Sequence, residues 1–247
     1  MREELSLRKS RVPFAELRRM EERSGPAREL LRTIPESPGI IAEIKRASPS
    51  RGWIRRDLDA VAAASAFIAG GAWAVSVLTE SRCFGGSLAD LSAVRSACPD
   101  AILLRKDFLL DEYMLAESRA HGADLVLLMV SVLGERTAAM AARAREHRLE
   151  PLVEARDADE IAVAVRSGAR LVGLNNRDLD TLSVDLSVAE RLLPLLPDGV
   201  VPVVESGITS AEQVRRFRRA GARLFLVGES VSSAPDPADT IRRYMGE

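Results

Sequence analysis

The sequence predicts the α/β class, as a (β/α)8 TIM barrel over residues 39–247 that follows an N-terminal helical extension over residues 1–38. Three observations support this fold. Eight short apolar runs alternate with segments of helical spacing after residue 38. The runs recur about every 26 residues, which suits one strand-plus-helix unit. Gly-Ala pairs recur at about every second unit, where a helix must stop before a strand begins.

The extension is rich in arginine and glutamate and lacks the apolar segment of a signal peptide. Residues Pro13–Arg23 and Pro26–Ile34 are each expected to form a short, highly charged helix. Two arrangements fit this pattern equally well. The extension packs on the barrel as a solvated addition, or it covers the mouth of the active site.

Each predicted strand is a β-rich apolar run. The eight runs are Gly39–Ile44, Trp73–Leu78, Ala101–Leu104, Leu125–Met129, Pro151–Val153, Leu171–Leu174, Val200–Val204 and Leu224–Val227. The segments between them include Thr137–His147 and Ser210–Arg219, which contain no glycine or proline and have helical spacing.

Glycines at positions 71, 122, 168 and 221 precede the second, fourth, sixth and eighth runs. Each is expected to end a helix in a left-handed conformation. The alternative fold is a doubly wound open sheet, but that fold does not need so even a repeat. The chain also lacks a GxGxxG sequence after its first strand.

Composition and charge argue against several classes of protein. The net charge of −1 argues against nucleic-acid binding, although a phosphorylated small molecule needs only a local positive field. Cys83 and Cys98 lack metal-site spacing; one disulfide between them is conceivable, but two free thiols in a reducing cytoplasm are the favoured expectation. The two histidines, His121 and His147, are too few for a histidine-rich metal site. No apolar run reaches transmembrane length, so no membrane partner is expected.

Polar residues cluster at the carboxyl ends of the predicted strands, where barrels of this kind build their active sites. On the first strand, Glu43 and Lys45 share one face. Burying charges so close to a core costs free energy unless they pair with opposite charges or bind a substrate. Ser48 lies in the loop that follows, which is rich in donors for anions. The remaining strand-end residues are Thr79, Glu80, Arg105, Lys106, Asp107, Glu154, Asn175, Asn176, Arg177, Glu205, Ser206, Gly207, Gly228, Glu229 and Ser230.

The last two strands are followed by ESGIT (205–209) and GES (228–230), which place glycine beside a hydroxyl residue before a helix. Backbone N–H groups at such positions bind phosphate, and the seventh and eighth loops are the usual location in these barrels. We therefore predict a phosphate site formed by Ser206, Gly207, Gly228, Glu229 and Ser230. The alternative is ordinary helix capping by Ser206, Thr209 or Ser230.

Apolar residues fall on or near the same strand ends. They are Phe84, Phe108, Leu127, Met129 and Leu179. Because aromatic residues make up only 4% of the chain, two phenylalanines here indicate a flat apolar part of the substrate. Core packing is an alternative explanation, above all for Leu127 and Met129.

Several motifs match one known family in order along the predicted barrel. They are IAEIKRASPS (41–50), Leu78–Glu80 with Phe84 and Gly86-Ser87-Leu88, LRKDF (104–108), LVE (152–154), GLNNRDL (173–179), ESGI (205–208) and FLVGES (225–230). In these motifs the chain resembles the indole-3-glycerol-phosphate synthase family of tryptophan biosynthesis. The resemblance implies a (β/α)8 barrel with no metal or organic cofactor. It also implies ring closure of 1-(2-carboxyphenylamino)-1-deoxyribulose 5-phosphate, with loss of carbon dioxide and water.

The resemblance also implies roles for individual residues. Lys106 would be the general acid at the substrate carbonyl, and Glu154 would serve the later loss of water. Lys45 would contact the substrate carboxylate and the reacting oxygen. The remaining active-site polar residues would be Glu43, Asn175, Glu205 and Ser206, with Arg177 near the mouth. We expect burial or the neighbouring Lys45 to lower the pKa of Lys106.

The sequence departs from the family pattern at three places. Arg51 stands where lysine is usual, and Ala155-Arg156 replaces the usual Val-His. The usual Arg-x-Phe before the barrel is not evident, although Ala27-Arg28-Glu29 lies nearby. These changes concern the cover of the substrate more than the central chemistry.

Two other functions remain open at this stage. The first is a barrel like phosphoribosylanthranilate isomerase, for which a Cys/Asp acid–base pair is expected instead of Glu43 and Lys45. The second is a barrel that binds a phosphorylated ligand without converting it, which does not explain Lys106 and Glu154. We expect a monomeric cytoplasmic enzyme with a small phosphorylated substrate. Contact with other tryptophan-pathway enzymes is possible.

Overall fold

The computed structural model describes residues 2–246 and contains a closed barrel of eight parallel strands. The strands are β1 (Gly39–Ile44), β2 (Ala74–Leu78), β3 (Leu103–Lys106), β4 (Leu125–Met129), β5 (Glu150–Ala155), β6 (Leu171–Asn175), β7 (Val201–Glu205) and β8 (Leu224–Val227). Each strand pairs with the next in sequence, and β8 closes on β1 with Gly39 opposite Leu224. The predicted fold class is therefore confirmed.

Helices surround the barrel. The α-helices are Arg2–Arg11, Phe14–Glu22, Ala60–Ala69, Leu88–Ala97, Glu112–Ala120, Val130–Leu133, Thr137–Glu146, Ala158–Arg166, Ser187–Leu192, Ala211–Arg219, Glu229–Ser232 and Pro237–Met245. Short 3-10 turns lie at Leu30–Thr33, Gly134–Arg136 and Leu193–Leu195, and a small ribbon pairs Ala47–Ser48 with Gly52–Trp53. The four glycines predicted to end helices all have positive φ, from 69° to 106°. Within the described residues, no helix combines the length and apolar character needed to cross a membrane.

Strand β3 differs most from its prediction of Ala101–Leu104, because it begins and ends two residues later. The charged residues Arg105 and Lys106 belong to the strand. Lys106 faces the barrel interior, whereas Arg105 is fully buried on the outer side. There its guanidinium contacts Glu117 and Asp107, each at 3.0 Å. These buried carboxylates thus stabilise the charge of Arg105 inside the strand. A prediction from apolar residues alone therefore ends the strand too early.

Side chains alternate between two layers along each strand. An inner cluster fills the barrel with residues such as Ile41, Leu104 and Leu125. A larger outer cluster lies between the strands and the helices and includes Ile40 and Phe67. This packing fixes which strand-end residues face the mouth.

The predicted helix over Pro26–Ile34 is wrong except for the 3-10 turn at Leu30–Thr33. The Arg119 guanidinium binds the carbonyl oxygens of residues 24, 25 and 26 and so fixes the chain just before and at the start of this segment. Leu30 and Ile34 pack against the inner cluster at the amino ends of the strands. The helix Phe14–Glu22 lies against Glu112–Ala120 on the side of the barrel. Among described residues, those lining the mouth come from position 43 onward.

Candidate active site

The carboxyl ends of the strands enclose two adjoining cavities of about 110 and 280 Å³. Both are lined by Glu43, Lys45, Lys106, Arg177 and Ser206. The first also contains Glu154, Asn175, Phe84, Phe108, Leu127, Met129 and Leu179. The second contains Gly207, Gly228, Glu229 and Ser230. The structure therefore brings sixteen of the eighteen predicted site residues to one mouth.

Four charged side chains form the centre of the mouth. The Lys106 ammonium lies 3.1 Å from the Glu205 carboxylate and 3.4 Å from Glu43. The other oxygen of Glu43 lies 3.4 Å from the Lys45 ammonium. Strands β1, β3 and β7 thus supply a chain of alternating charges. The predicted shared face of Glu43 and Lys45 is confirmed.

The expectation of a lowered pKa at Lys106 is wrong. Burial alone would lower it, but the carboxylates of Glu43, Glu205 and Glu154 outweigh burial and raise the pKa of Lys106 above its ordinary value. Lys45 does not dominate because Glu43 lies between the two lysines. The Lys106 ammonium therefore remains protonated at neutral pH.

Glu43 shows the reciprocal effect. Burial would raise the pKa of its carboxyl group, but the ammonium groups of Lys106 and Lys45 outweigh burial, and the net shift is downward. Glu43 is therefore a carboxylate at neutral pH and holds both lysines in place.

Glu154 behaves in the opposite way and is buried on β5. Burial and the nearby carboxylate of Glu205 raise its pKa to about 8, against smaller opposing effects of Lys106 and Asn175. Most Glu154 side chains are therefore neutral acids at pH 7. The mouth thus contains a neutral acid, Glu154, near the charged acid Lys106.

The space for two of these carboxylates depends on two glycines, one within strand β6 and one just after strand β8. A Cβ atom on Gly228 would lie 2.5 Å from Oε1 of Glu43. A Cβ atom on Gly173 would collide with Oε1 of Glu205. Any larger residue at either position must displace a carboxylate that contacts Lys106.

The first cavity has an apolar wall that contains the two predicted phenylalanines. The loop carrying Phe84 is shaped by the buried Glu80, whose carboxylate accepts the N–H groups of residues 82, 83 and 84. The Lys45 ammonium lies 5.9 Å from the centroid of the Phe84 ring. This cavity can hold a flat apolar ring that carries a negative group.

The second cavity lies between the seventh and eighth loops. Ser206 and Gly207 both have positive φ, at 65° and 84°. Successive N–H groups in such turns form anion-binding concavities. The helix that follows is capped by Ser210 with Gln213, so Ser206 and Thr209 are not its N-cap residues. Ser230 does not cap either, since its hydroxyl donates to the carbonyl oxygen of Ile208.

Two predicted site residues lie outside the cavity walls. Glu205 is fully buried behind Lys106 and acts on the cavity through that contact. Ser48 lies in the small ribbon, where its hydroxyl accepts the N–H of Arg51. Arg51 itself reaches across the mouth, with its guanidinium 2.7 Å from Glu229.

Sequence reasoning did not select four polar residues that line the cavities: Glu80, Asp107, Thr209 and Ser233. Glu80 and Asp107 were visible as strand-end charges, and that position is the signal that could have found them. Thr209 was considered only as a helix cap.

Comparisons with known proteins give one consistent result. The family described as Indole-3-glycerol phosphate synthase matches residues 1–244. The Indole-3-glycerol phosphate synthase of Streptomyces griseus is 44% identical over 239 residues, which cover 96% of this chain and 88% of that protein. The protein of that name from a Nocardioides species is 49% identical over 208 residues, covering 84% and 80%.

Solved structures show likeness in fold alone. The 3-hexulose-6-phosphate synthase of Salmonella typhimurium has a TM-score of 0.68 at 16% identity, covering 84% of this chain and 97% of that one. A 3-keto-L-gulonate-6-phosphate decarboxylase from Vibrio cholerae has a TM-score of 0.65 at 18% identity, covering 85% and 98%.

Proposed function

The chain belongs to the indole-3-glycerol phosphate synthase family, and we propose on that premise that Lys106 and Glu154 supply the two protons of its reaction. The enzyme closes the indole ring of 1-(2-carboxyphenylamino)-1-deoxyribulose 5-phosphate and releases carbon dioxide and water. One observation carries the assignment of roles. A charged ammonium and a neutral carboxylic acid face the same cavity between an apolar wall and a glycine-rich loop pair.

The aromatic ring of the substrate lies against Phe84 and Phe108, and its carboxylate lies near Lys45. The phosphate binds between the loops of Gly207 and Gly228. Anchoring both ends holds the ring carbon close to the ketone carbon. Orientation of this kind contributes up to about 7–11 kcal/mol to lowering a barrier.

In the first step the ring carbon that bears the carboxylate attacks the ketone carbon. A new carbon–carbon bond forms, and the ketone oxygen takes a proton from Lys106. The raised pKa makes Lys106 a weaker acid, but it keeps the ammonium protonated at every physiological pH, and the developing alkoxide is basic enough to take its proton. Glu43 and Glu205 keep the ammonium aimed into the cavity.

The ring closure leaves a cationic ring, which accepts the electron pair of the breaking bond to the carboxylate. Carbon dioxide then leaves without a proton transfer. Glu154 next protonates the hydroxyl group, which leaves as water. The Glu154 carboxylate then takes a proton from the adjacent methylene carbon as the indole double bond forms. The overall balance consumes one proton, which solvent returns to the enzyme.

Indole fluorescence tests this assignment. Adding the carboxyphenylamino substrate to purified, folded protein should produce an indole spectrum. Absence of the indole product would refute the synthase chemistry and favour ligand binding without turnover. An isomerase activity on phosphoribosylanthranilate, without indole formation, would instead support the isomerase-like alternative.

We also propose that residues 39–247 are the catalytic domain and that residues 1–38 are an extension that lies outside the active-site mouth. All described cavity-lining residues lie between positions 43 and 233. The protein is proposed to act in the cytoplasm, whose reducing conditions suit the free thiols at Cys83 and Cys98. It is also proposed to be a monomer. Light scattering across a concentration series tests the monomer, and a constant dimer mass would contradict it.

A further inference from the structure

Asn176 stands beside Asn175 but has a different environment. Its side chain is almost completely buried and does not line either cavity, whereas Asn175 faces the first one. Asparagine is costly to bury unless its amide group is fully hydrogen-bonded. The role of Asn176 must therefore lie in the groups to which its side-chain amide is hydrogen-bonded.

The carboxamide of Asn176 joins two segments beyond its own strand. Its Nδ2 donates to the carbonyl oxygen of Ser206 at 3.1 Å, and its Oδ1 accepts the N–H of Ala189 at 2.9 Å. Because a carbonyl only accepts and an N–H only donates, this pair of partners fixes the orientation of the amide. The backbone of Asn176 adds hydrogen bonds to the carbonyl of Glu205 and from the N–H of Asp185.

Ser206 needs such a restraint. Its φ of 65° is in the left-handed region, which residues with a Cβ rarely adopt. Strained residues persist where the surrounding structure over-determines their conformation. Gly207 continues the turn, and Val184 and Leu186 cover it so closely that a Cβ there would lie 2.6 and 2.8 Å from them.

We propose that Asn176 is a positioning residue for the phosphate end of the site. Its amide holds the carbonyl of Ser206 and so keeps Ser206 left-handed. The backbone of residues 206–208, which lines the second cavity, is thereby fixed in shape before the substrate arrives. The inference rests on the proposed location of the phosphate. Its ligand class is a phosphate monoester.

The test compares the full-length protein with Asn176→Asp. Aspartate has nearly the same shape and keeps an acceptor for Ala189, but it loses the donor to Ser206. The inhibition constant of inorganic phosphate and the KM for substrate should both rise about tenfold, while kcat changes less than about threefold. Unchanged phosphate inhibition, or a loss confined to kcat, would overturn the proposal.

Adding Ser206→Gly to Asn176→Asp separates positioning from general damage. Ser206→Gly alone is the reference, because Ser206 itself lines both cavities. Glycine adopts positive φ readily, so the double variant should bind phosphate nearly as well as this reference although the new charge is still present. Failure to do so, or a double variant that does not fold, would overturn the proposal, since Asn176 would then act on the whole fold. If wild-type protein forms indole but inorganic phosphate does not compete, the phosphate location itself is wrong.

Discussion

Replacing Glu154 with glutamine should stabilise the folded protein and remove most of its activity. In the folded protein the pKa of this buried carboxyl group is about 8, against 4.5 ordinarily. Between these pH values the unfolded chain has lost a proton that the folded protein keeps. The free energy of unfolding therefore falls by about 1.4 kcal/mol for each pH unit.

This cost is absent below pH 4.5, reaches about 2 kcal/mol at pH 6, and levels off near about 5 kcal/mol above pH 8. Glutamine has a similar shape and does not ionise, so Glu154→Gln carries no such cost. The stability advantage of the variant should grow by about 3 kcal/mol between pH 6 and pH 9. Taking the difference between the two proteins cancels the titration of the other groups.

Urea unfolding at pH 6 and pH 9 measures this advantage. Glu135→Gln is the matched control, because the same substitution is made there on an exposed glutamate and should show no growing advantage. An advantage of Glu154→Gln that is equal at the two pH values would refute the reasoning. It would mean that Glu154 is already ionised in the folded protein at pH 6.

Four further outcomes are expected. Lys106→Met should lower kcat by about 10²–10⁴-fold yet leave inhibition by inorganic phosphate unchanged, and unchanged turnover would remove Lys106 from its role. Wild-type kcat/KM should fall about tenfold per pH unit above pH 8 as Glu154 loses its proton, whereas a flat profile to pH 10 would contradict a Glu154 acid. Glu80→Gln should raise KM more than it lowers kcat, because the loop of Phe84 loses a charged acceptor, and steady-state kinetics would show the reverse if Glu80 took part in proton transfer. Arg105→Leu should cost about 3–5 kcal/mol in urea unfolding, since buried carboxylates lose their partner, and a loss under about 1 kcal/mol would contradict the burial argument.

The spacing of apolar runs, and the polar residues that follow them, were enough to predict the barrel and most of the residues at its mouth. Strands β1, β4 and β8 have the predicted bounds because each of them is mostly apolar and ends on an apolar residue. Strand β3 was misplaced because its last residues are charged and their partners lie on other elements.

The pKa of Lys106 could not be predicted for the same reason. Its sign depends on carboxylates from three other strands, which only closure of the barrel brings together. The start of the segment Pro26–Ile34 is likewise fixed by Arg119, more than 80 residues away in sequence. The left-handed Ser206 carries no local signal, because serine does not favour that conformation.

Gly173 and Gly228 have a consequence for protein engineering. The carboxylates of Glu205 and Glu43 beside Lys106 occupy space that is free because these two glycines have no side chains. Mutational libraries that aim at new aromatic substrates can vary the apolar wall of the mouth, but alanine at either glycine would reposition a charge as well as fill a space. The proton chemistry of this barrel is thus encoded partly by residues that contribute no side-chain atoms, and directed evolution should hold them fixed.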